Sequence, residues 1–148
     1  MLLVLGDRHN CALLEDKSIK CWGRNLDGEL GDRTNENPRK IPVKVYGVSN
    51  AVAVDTGNRH SCALLDNQSI ACWGRNDNGQ LGDGTTNSSY VPVVVSGISN
   101  AIKIGLGSII PVRYWTTKVY SVGEEIIMDN SETVKKQVRK IIRLSLRL

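Results

Sequence analysis

One stretch of this chain occurs twice, and it limits what the chain can fold into. Cys21-Trp22-Gly23-Arg24-Asn25 followed by Gly28-Glu29-Leu30-Gly31-Asp32 returns as Cys72-Trp73-Gly74-Arg75-Asn76 followed by Gly79-Gln80-Leu81-Gly82-Asp83. Most of the intervening sequence repeats as well. Arg8-His9-Asn10-Cys11-Ala12-Leu13-Leu14 recurs as Arg59-His60-Ser61-Cys62-Ala63-Leu64-Leu65, and Gly47-Val48-Ser49-Asn50-Ala51 as Gly97-Ile98-Ser99-Asn100-Ala101. The offset is 51 residues, falling to 50 after the linker that follows Asp32 and Asp83. A period of this length is the signature of solenoids and propellers, whose units bury their apolar faces only against neighbours.

Each unit reads as short strands separated by turns. Cys62-Ala63-Leu64-Leu65 and Ile70-Ala71-Cys72-Trp73 flank Asp66-Asn67-Gln68-Ser69. There Asp and Asn tolerate left-handed geometry and hydrogen-bond their own backbone. The β-branched run Val91-Pro92-Val93-Val94-Val95 belongs at a sheet edge, because proline cannot donate to a ladder. Ala101-Ile102-Lys103-Ile104 alternates with period two. Regular glycines with short strands point to an all-β propeller or similar closed array. Residues 1–107 are the repeated region, with units at about 6–56 and 57–106, and Met1 falls inside what should be a repeated strand, as if the beginning were truncated.

The formal charge is +4, but residues 1–107 hold 11 Lys/Arg and 11 Asp/Glu, while residues 108–148 hold 8 and 4. The excess belongs to the tail and not to the repeats, so a nucleic-acid partner is not expected. No apolar run approaches the roughly 20 residues that cross a bilayer, so no membrane role is expected either.

The His-x-Cys-x-Leu-Leu strand, the Cys-Trp-Gly-x-Asn strand and the Gly79-to-Gly84 turn resemble the regulator of chromosome condensation repeat family. The resemblance implies a partial β-propeller: about two four-stranded antiparallel blades of a seven-bladed ring. It also implies either a non-enzymatic protein-binding platform or, as the alternative, a guanine-nucleotide exchange regulator of a small GTPase. A pseudogene product without function is a third reading. No motif carries the family's recognition residues onto this sequence. The first unit departs from the pattern at Glu29, where the second has Gln80, and at Arg33, where the second has Gly84. Arg33 is an unexpected residue where positive φ is required.

Trp22 and Trp73, with Gly23 and Gly74 beside them, follow the repeat and not a surface patch, which makes them blade-packing residues before interface anchors. His9 and His60 read as packing or hydrogen-bonding histidines, since no catalytic constellation recurs around them. The cysteines form two equal pairs, Cys11/Cys21 and Cys62/Cys72. Folding about the intervening turn sets each pair nearly opposite on adjacent strands, within reach of a disulfide. Zinc would be expected to show Cys-x2-Cys or His-x3-His spacing, and buried free thiols are the plainer alternative. One disulfide per repeat is the expectation carried forward, and it would place the parent protein outside the cell or at its surface. No metal, cofactor or catalytic residue is expected. Neither Gly-x-Gly-x-x-Gly nor a Gly-Lys-Ser/Thr element is present.

The repeat stops within a unit after Gly107. Val134, Val138, Ile141 and Ile142 follow as a short apolar stripe, the face that a basic amphipathic helix could lay on a membrane surface. The genetic code suggests a different origin. In a frame one nucleotide upstream, codons permitted by Val119 to Thr133 regroup as Gly-Ile-Gln-Cys-Trp-Gly-Arg-Asn-Asn-Tyr-Gly-Gln-Leu-Gly-Asp. Those permitted by Ile109 to Lys118 give His-Ser-Cys-Ala-Val-Leu-Asp-Asn-Lys. Residues 108–148 are accordingly read as an aberrant tail, a third repeat translated out of frame. The chain is then a truncated fragment of a larger propeller, prone to self-association through open blade edges.

Overall fold

The computed structural model describes residues 1–106 and the backbone of the strand Arg113–Trp115. The described residues form strands and turns, with no helix among them. Two four-stranded antiparallel sheets follow the two sequence units. The first blade contains β1 (Leu2–Leu5), β2 (His9–Leu13), β3 (Ile19–Gly23) and β4 (Arg39–Lys44). The second contains β5 (Ala51–Thr56), β6 (His60–Leu65), β7 (Ile70–Gly74) and β8 (Ser89–Val94). Each is a meander with strands in chain order. The proline-bearing strands β4 and β8 form one edge of each sheet, where a missing N–H costs no ladder bond.

The registers coincide between blades. Cys11 faces Cys21 and His9 faces Gly23 in the first; Cys62 faces Cys72 and His60 faces Gly74 in the second. After each cysteine the pairing with the outer strand slips, between Cys21 and Gly23 and between Cys72 and Gly74. Glycine is required at these slips. Gly23 and Gly74 have φ of 111° and 106°, and a Cβ there would lie 2.9 Å from the Arg8 carbonyl and 2.6 Å from that of Arg59. The close approach these glycines allow is thus to the neighbouring strand of their own blade.

Alternation divides each sheet into two faces. Cys11, Ile19 and Cys21 of the first blade form one core with Val48, Ala51, Val54, Ala63 and Trp73, so the joint between blades is itself hydrophobic core. A second core joins Cys62, Leu64, Ile70, Cys72, Leu81 and Val95 to Ala101 and Ile104. Ile104 belongs to β9 (Lys103–Gly105), the third-unit counterpart of β1 and β5, shorter than the alternation over 101–104 suggests. β10 (Arg113–Trp115) pairs with β9, but Arg113 faces Gly105 whereas Cys62 faces Asp55 and Cys11 faces Val4. The partner lies eight residues ahead in the third hairpin and seven in the others. The rest of the tail, including the stripe Val134 to Ile142, lies outside the described residues.

The turns follow the predicted chemistry with one difference. Asp16 and Asn67 accept from the backbone N–H of Ser18 and Ser69 at 3.0 and 3.1 Å. The left-handed positions, however, fall to Lys17 (φ 61°) and Gln68 (φ 66°), because Asp16 and Asn67 are committed to the residue two ahead. Arg33 likewise takes φ of 70°, as Gly84 takes 85°. Its strain is offset by a hydrogen bond from its N–H to the Tyr90 carbonyl (3.0 Å) and by its guanidinium lying 4.6 Å from the centre of the Tyr46 ring.

Candidate functional site

The joint between the blades, and the charged loops at one end of it, are where this structure concentrates buried polar groups and ion pairs. Trp73 is fully buried there, and its indole N–H donates to the Glu29 carbonyl at 2.8 Å. A Cβ at Gly31 would lie 2.9 Å from the indole ring, so the glycine of the first unit makes room for the tryptophan of the second. Gly28 similarly abuts the outer strand of the next blade, where a Cβ would lie 2.8 Å from the Cα of Tyr90. Trp22 occupies the equivalent place on the first blade but is only half-buried, on the sheet face turned away from the second blade.

Beside Trp73, the Ser61 hydroxyl donates to the same Glu29 carbonyl at 2.9 Å. His9 Nε2 lies 2.7 Å from that hydroxyl oxygen. Ser61 has one proton and the carbonyl can only accept, so His9 donates through Nε2–H. His9 Nδ1 is left as a buried acceptor without a partner among the described residues. Burial, with His60 nearby, holds the His9 pKa down to about 4; burial lowers that of His60 as well. This serine–histidine pair is enclosed, both residues being fully buried, so it can hold blades together but cannot meet a substrate.

The long β3–β4 loops are organised by a buried asparagine in each blade. Asn25 Oδ1 accepts from Leu30 N at 3.1 Å, and its Nδ2 reaches Asp32 and the Thr34 carbonyl at 3.2 and 3.0 Å. Asn76 repeats this with Leu81, Asp83 and Thr85 at 2.9, 3.2 and 3.0 Å. Burial acts to raise the pKa of both aspartates, most strongly at Asp32, but hydrogen bonds from the threonines and asparagines outweigh it and both are lowered. The recurrence of these asparagines was visible in the sequence; their organising role was not. Glu29 keeps the backbone contact that Gln80 makes: Oε2 accepts from Asp27 N at 2.8 Å, as Gln80 Oε1 does from Asn78 N. Its other oxygen takes the Arg24 Nε–H at 2.9 Å, which supplies the countercharge a buried carboxylate needs.

At this end of the blades the charges link across the joint. Arg24 also approaches Asp27 at 3.4 Å, and Asp27 lies 3.7 Å from Arg59 of the second blade. Arg75 and Asp77 form a separate pair within the second blade at 2.6 Å. At the opposite end Lys17 and Asp66 bridge the blades at 3.1 Å. Within each blade the paired cysteines are fully buried, with sulfur atoms 2.13 and 2.08 Å apart and Cα atoms 4.1 and 4.0 Å apart. Among the described residues no group of His, Cys, Asp and Glu could hold a metal ion.

Two meanders stacked face to face through a shared core are blades of a β-propeller. Models of the regulator of chromosome condensation (RCC1) repeat match residues 3–29 and 51–80, and residues 21–64 and 71–109; the chain belongs to this family. It is 29% identical to the human E3 ubiquitin-protein ligase HERC2 over 123 residues, 80% of this chain and 2% of that protein. It is 37% identical to the Caenorhabditis elegans X-linked retinitis pigmentosa GTPase regulator homolog over 79 residues, 52% of this chain and 6% of that protein. The crystal structure of Saccharomyces cerevisiae Prp20p, described with its binding properties to Gsp1p and histones, superposes with a TM-score of 0.69 at 20% identity. It covers 97% of this chain and 34% of that one. Yeast RCC1 (Prp20) bound to Kap60 gives 0.62 at 23% identity, over 72% of this chain and 25% of that one. The chain thus spans a small part of the relatives it matches.

Proposed function

We propose that this chain is a non-enzymatic protein-interaction module and that it works as two adjoining blades of a larger propeller. The observation that carries this reading is the charged series Arg24–Asp27–Arg59, which crosses the joint at one end. A rigid core fixes the spacing of the blades beneath it, and loops on a rigid scaffold are where recognition residues are displayed. Prp20p's binding of Gsp1p and histones, and its binding by Kap60, make a protein the expected class of partner. The cysteine pairs are proposed to be disulfides formed in an oxidising compartment, which favours this reading over a nuclear exchange factor. Residues 108–148 are proposed to be the third repeat read out of frame, with no selected role for their apolar stripe. Sequencing the gene across codons 100–135 tests that proposal, and stop codons in the upstream frame would remove it.

The functional test is release of a fluorescent guanine nucleotide from a small nuclear GTPase, with and without the purified chain. The expected rate is unchanged. Acceleration that saturates with the chain would replace this proposal by the exchange-regulator reading.

A further inference from the structure

We propose that Arg33, Tyr46 and Tyr90 form a docking site for an extended segment of a partner protein, one that sets a carboxylate beside an apolar side chain. This site rests on the reading of the chain as a protein-interaction module, and it gives that module a place and a ligand chemistry.

All three residues depart from the repeat. Where the first unit has Arg33 and Tyr46, the second has Gly84 and Ser96; where the second has Tyr90, the first has Lys40. Packing that recurs in both blades therefore calls for none of them. The fold nevertheless brings them to one spot, where the two blades meet. The Arg33 N–H donates to the Tyr90 carbonyl at 3.0 Å, which ties the β3–β4 loop of the first blade to β8, the outer strand of the second. The Arg33 guanidinium lies 4.6 Å from the centre of the Tyr46 ring. Tyr46 is fixed beside the same loop, since its N–H donates to the Gly31 carbonyl at 2.8 Å. Arg33 is exposed, and Tyr46 and Tyr90 are 52% and 43% exposed.

Charge defines the occupant. Arg24, in this loop, pairs with Asp27 and Glu29, and Arg39, just after it, pairs with Asp32 and Glu36. Arg33 forms no ion pair among the described residues. A guanidinium that stacks on a ring keeps its N–H edge for a carboxylate, which it can hold through two parallel hydrogen bonds. The tyrosine rings supply apolar surface for the neighbouring side chain, and Tyr and Arg are the residues that dominate binding hot spots. The backbone adds a separate reason. Arg33 holds φ at 70°, where the second unit has glycine at 85°. Glycine would adopt this conformation without strain and keep the N–H bond to Tyr90, so the fold alone does not require the arginine side chain. Strained residues of this kind concentrate at functional sites.

A random-peptide library displayed on phage and panned on the immobilised full chain tests this. Retained peptides should carry Asp or Glu beside Pro, Leu or an aromatic residue. Synthesised singly and measured by fluorescence polarisation, they should bind Arg33→Gly, which restores the repeat's own residue, about ten-fold or more weakly. Tyr46→Ser should also weaken them, and so should exchanging the peptide's Asp or Glu for Asn or Gln with the chain unaltered. Lys20→Ala removes an exposed charge on the face turned away from the second blade and should change nothing. Far-UV circular dichroism confirms that each variant is folded. Peptides that bind Arg33→Gly as they bind the parent, that tolerate loss of their carboxylate, or that lose as much to Lys20→Ala would overturn this site and leave the interaction-module reading standing. A chain that retains no peptide would overturn both.

Discussion

Replacing Trp73 should cost far more than replacing Trp22, although the two occupy the same place in two copies of one five-residue motif. Truncating a fully buried tryptophan to alanine removes its transfer free energy and leaves a cavity, together about 3–5 kcal/mol. Trp73 is such a residue: its ring fills the joint above Gly31, and about 1 kcal/mol of the total belongs to its hydrogen bond to the Glu29 carbonyl. That carbonyl keeps Ser61 as a donor, so no buried acceptor is orphaned and the upper end of the range is not expected. Trp22 lies half-buried on an open face, and its truncation in the monomer should cost less than about 1 kcal/mol. With a urea m-value of about 1–2 kcal/mol/M, Trp73→Ala should lower the midpoint by about 2 M and Trp22→Ala by about 0.5 M or less. Urea titration followed by far-UV circular dichroism, at a concentration where the chain is monomeric, reads both. Equal shifts for the two variants would refute the reasoning, because the joint would then not be what distinguishes them.

Three further outcomes follow from other parts of the fold. Burial holds His9 to a pKa of about 4 against an ordinary 6.5, so the unfolded chain binds the extra proton first. Stability contributed by neutral His9 is therefore complete above pH 6.5 and lost as pH falls toward 4, by at most about 1.4 kcal/mol per pH unit; urea midpoints at pH 7 and 5 measure it, and His9→Gln should flatten the difference. Asn76→Ala should destabilise by about 2–4 kcal/mol, since it strands the buried Leu81 N–H and the Asp83 contact; a thermal melt showing less than half of that would count against the loop's dependence on Asn76. Gln68→Gly should stabilise by about 0.5–1 kcal/mol. It relieves a left-handed residue (φ 66°) in an exposed turn, less the entropy glycine adds to the unfolded chain, and a loss of stability in the same melt would contradict this.

The strands and their pairing were legible because repetition and alternation carry them directly. Cys62 to Leu65 and Ile70 to Trp73 fall inside β6 and β7, and the prolines of β4 and β8 mark edge strands. Local conformation was less legible where tertiary contacts decide it. Arg33 accepts positive φ because Tyr46 and Tyr90, distant in sequence, hold it there. The link from His9 through Ser61 to the Glu29 carbonyl was not legible at all. The repeat shows that His9 and His60 are equivalent, yet which residue of the next blade faces each depends on how two sheets stack. His60 Nε2, in the second blade, has no partner among the described residues. The charged series across the joint was hidden for the same reason, since Asp27 and Arg59 belong to different units.

A non-reducing peptide map tests most directly that each repeat folds as its own antiparallel blade. Thiols are alkylated before digestion of the purified native chain, and linked peptides are identified by mass. The registers Cys11↔Cys21 and Cys62↔Cys72 predict two links, each within one repeat, and no alkylated cysteine. A link joining Cys11 or Cys21 to Cys62 or Cys72 would contradict the blade registers, and four alkylated cysteines would contradict the oxidised pairs on which the proposed compartment rests.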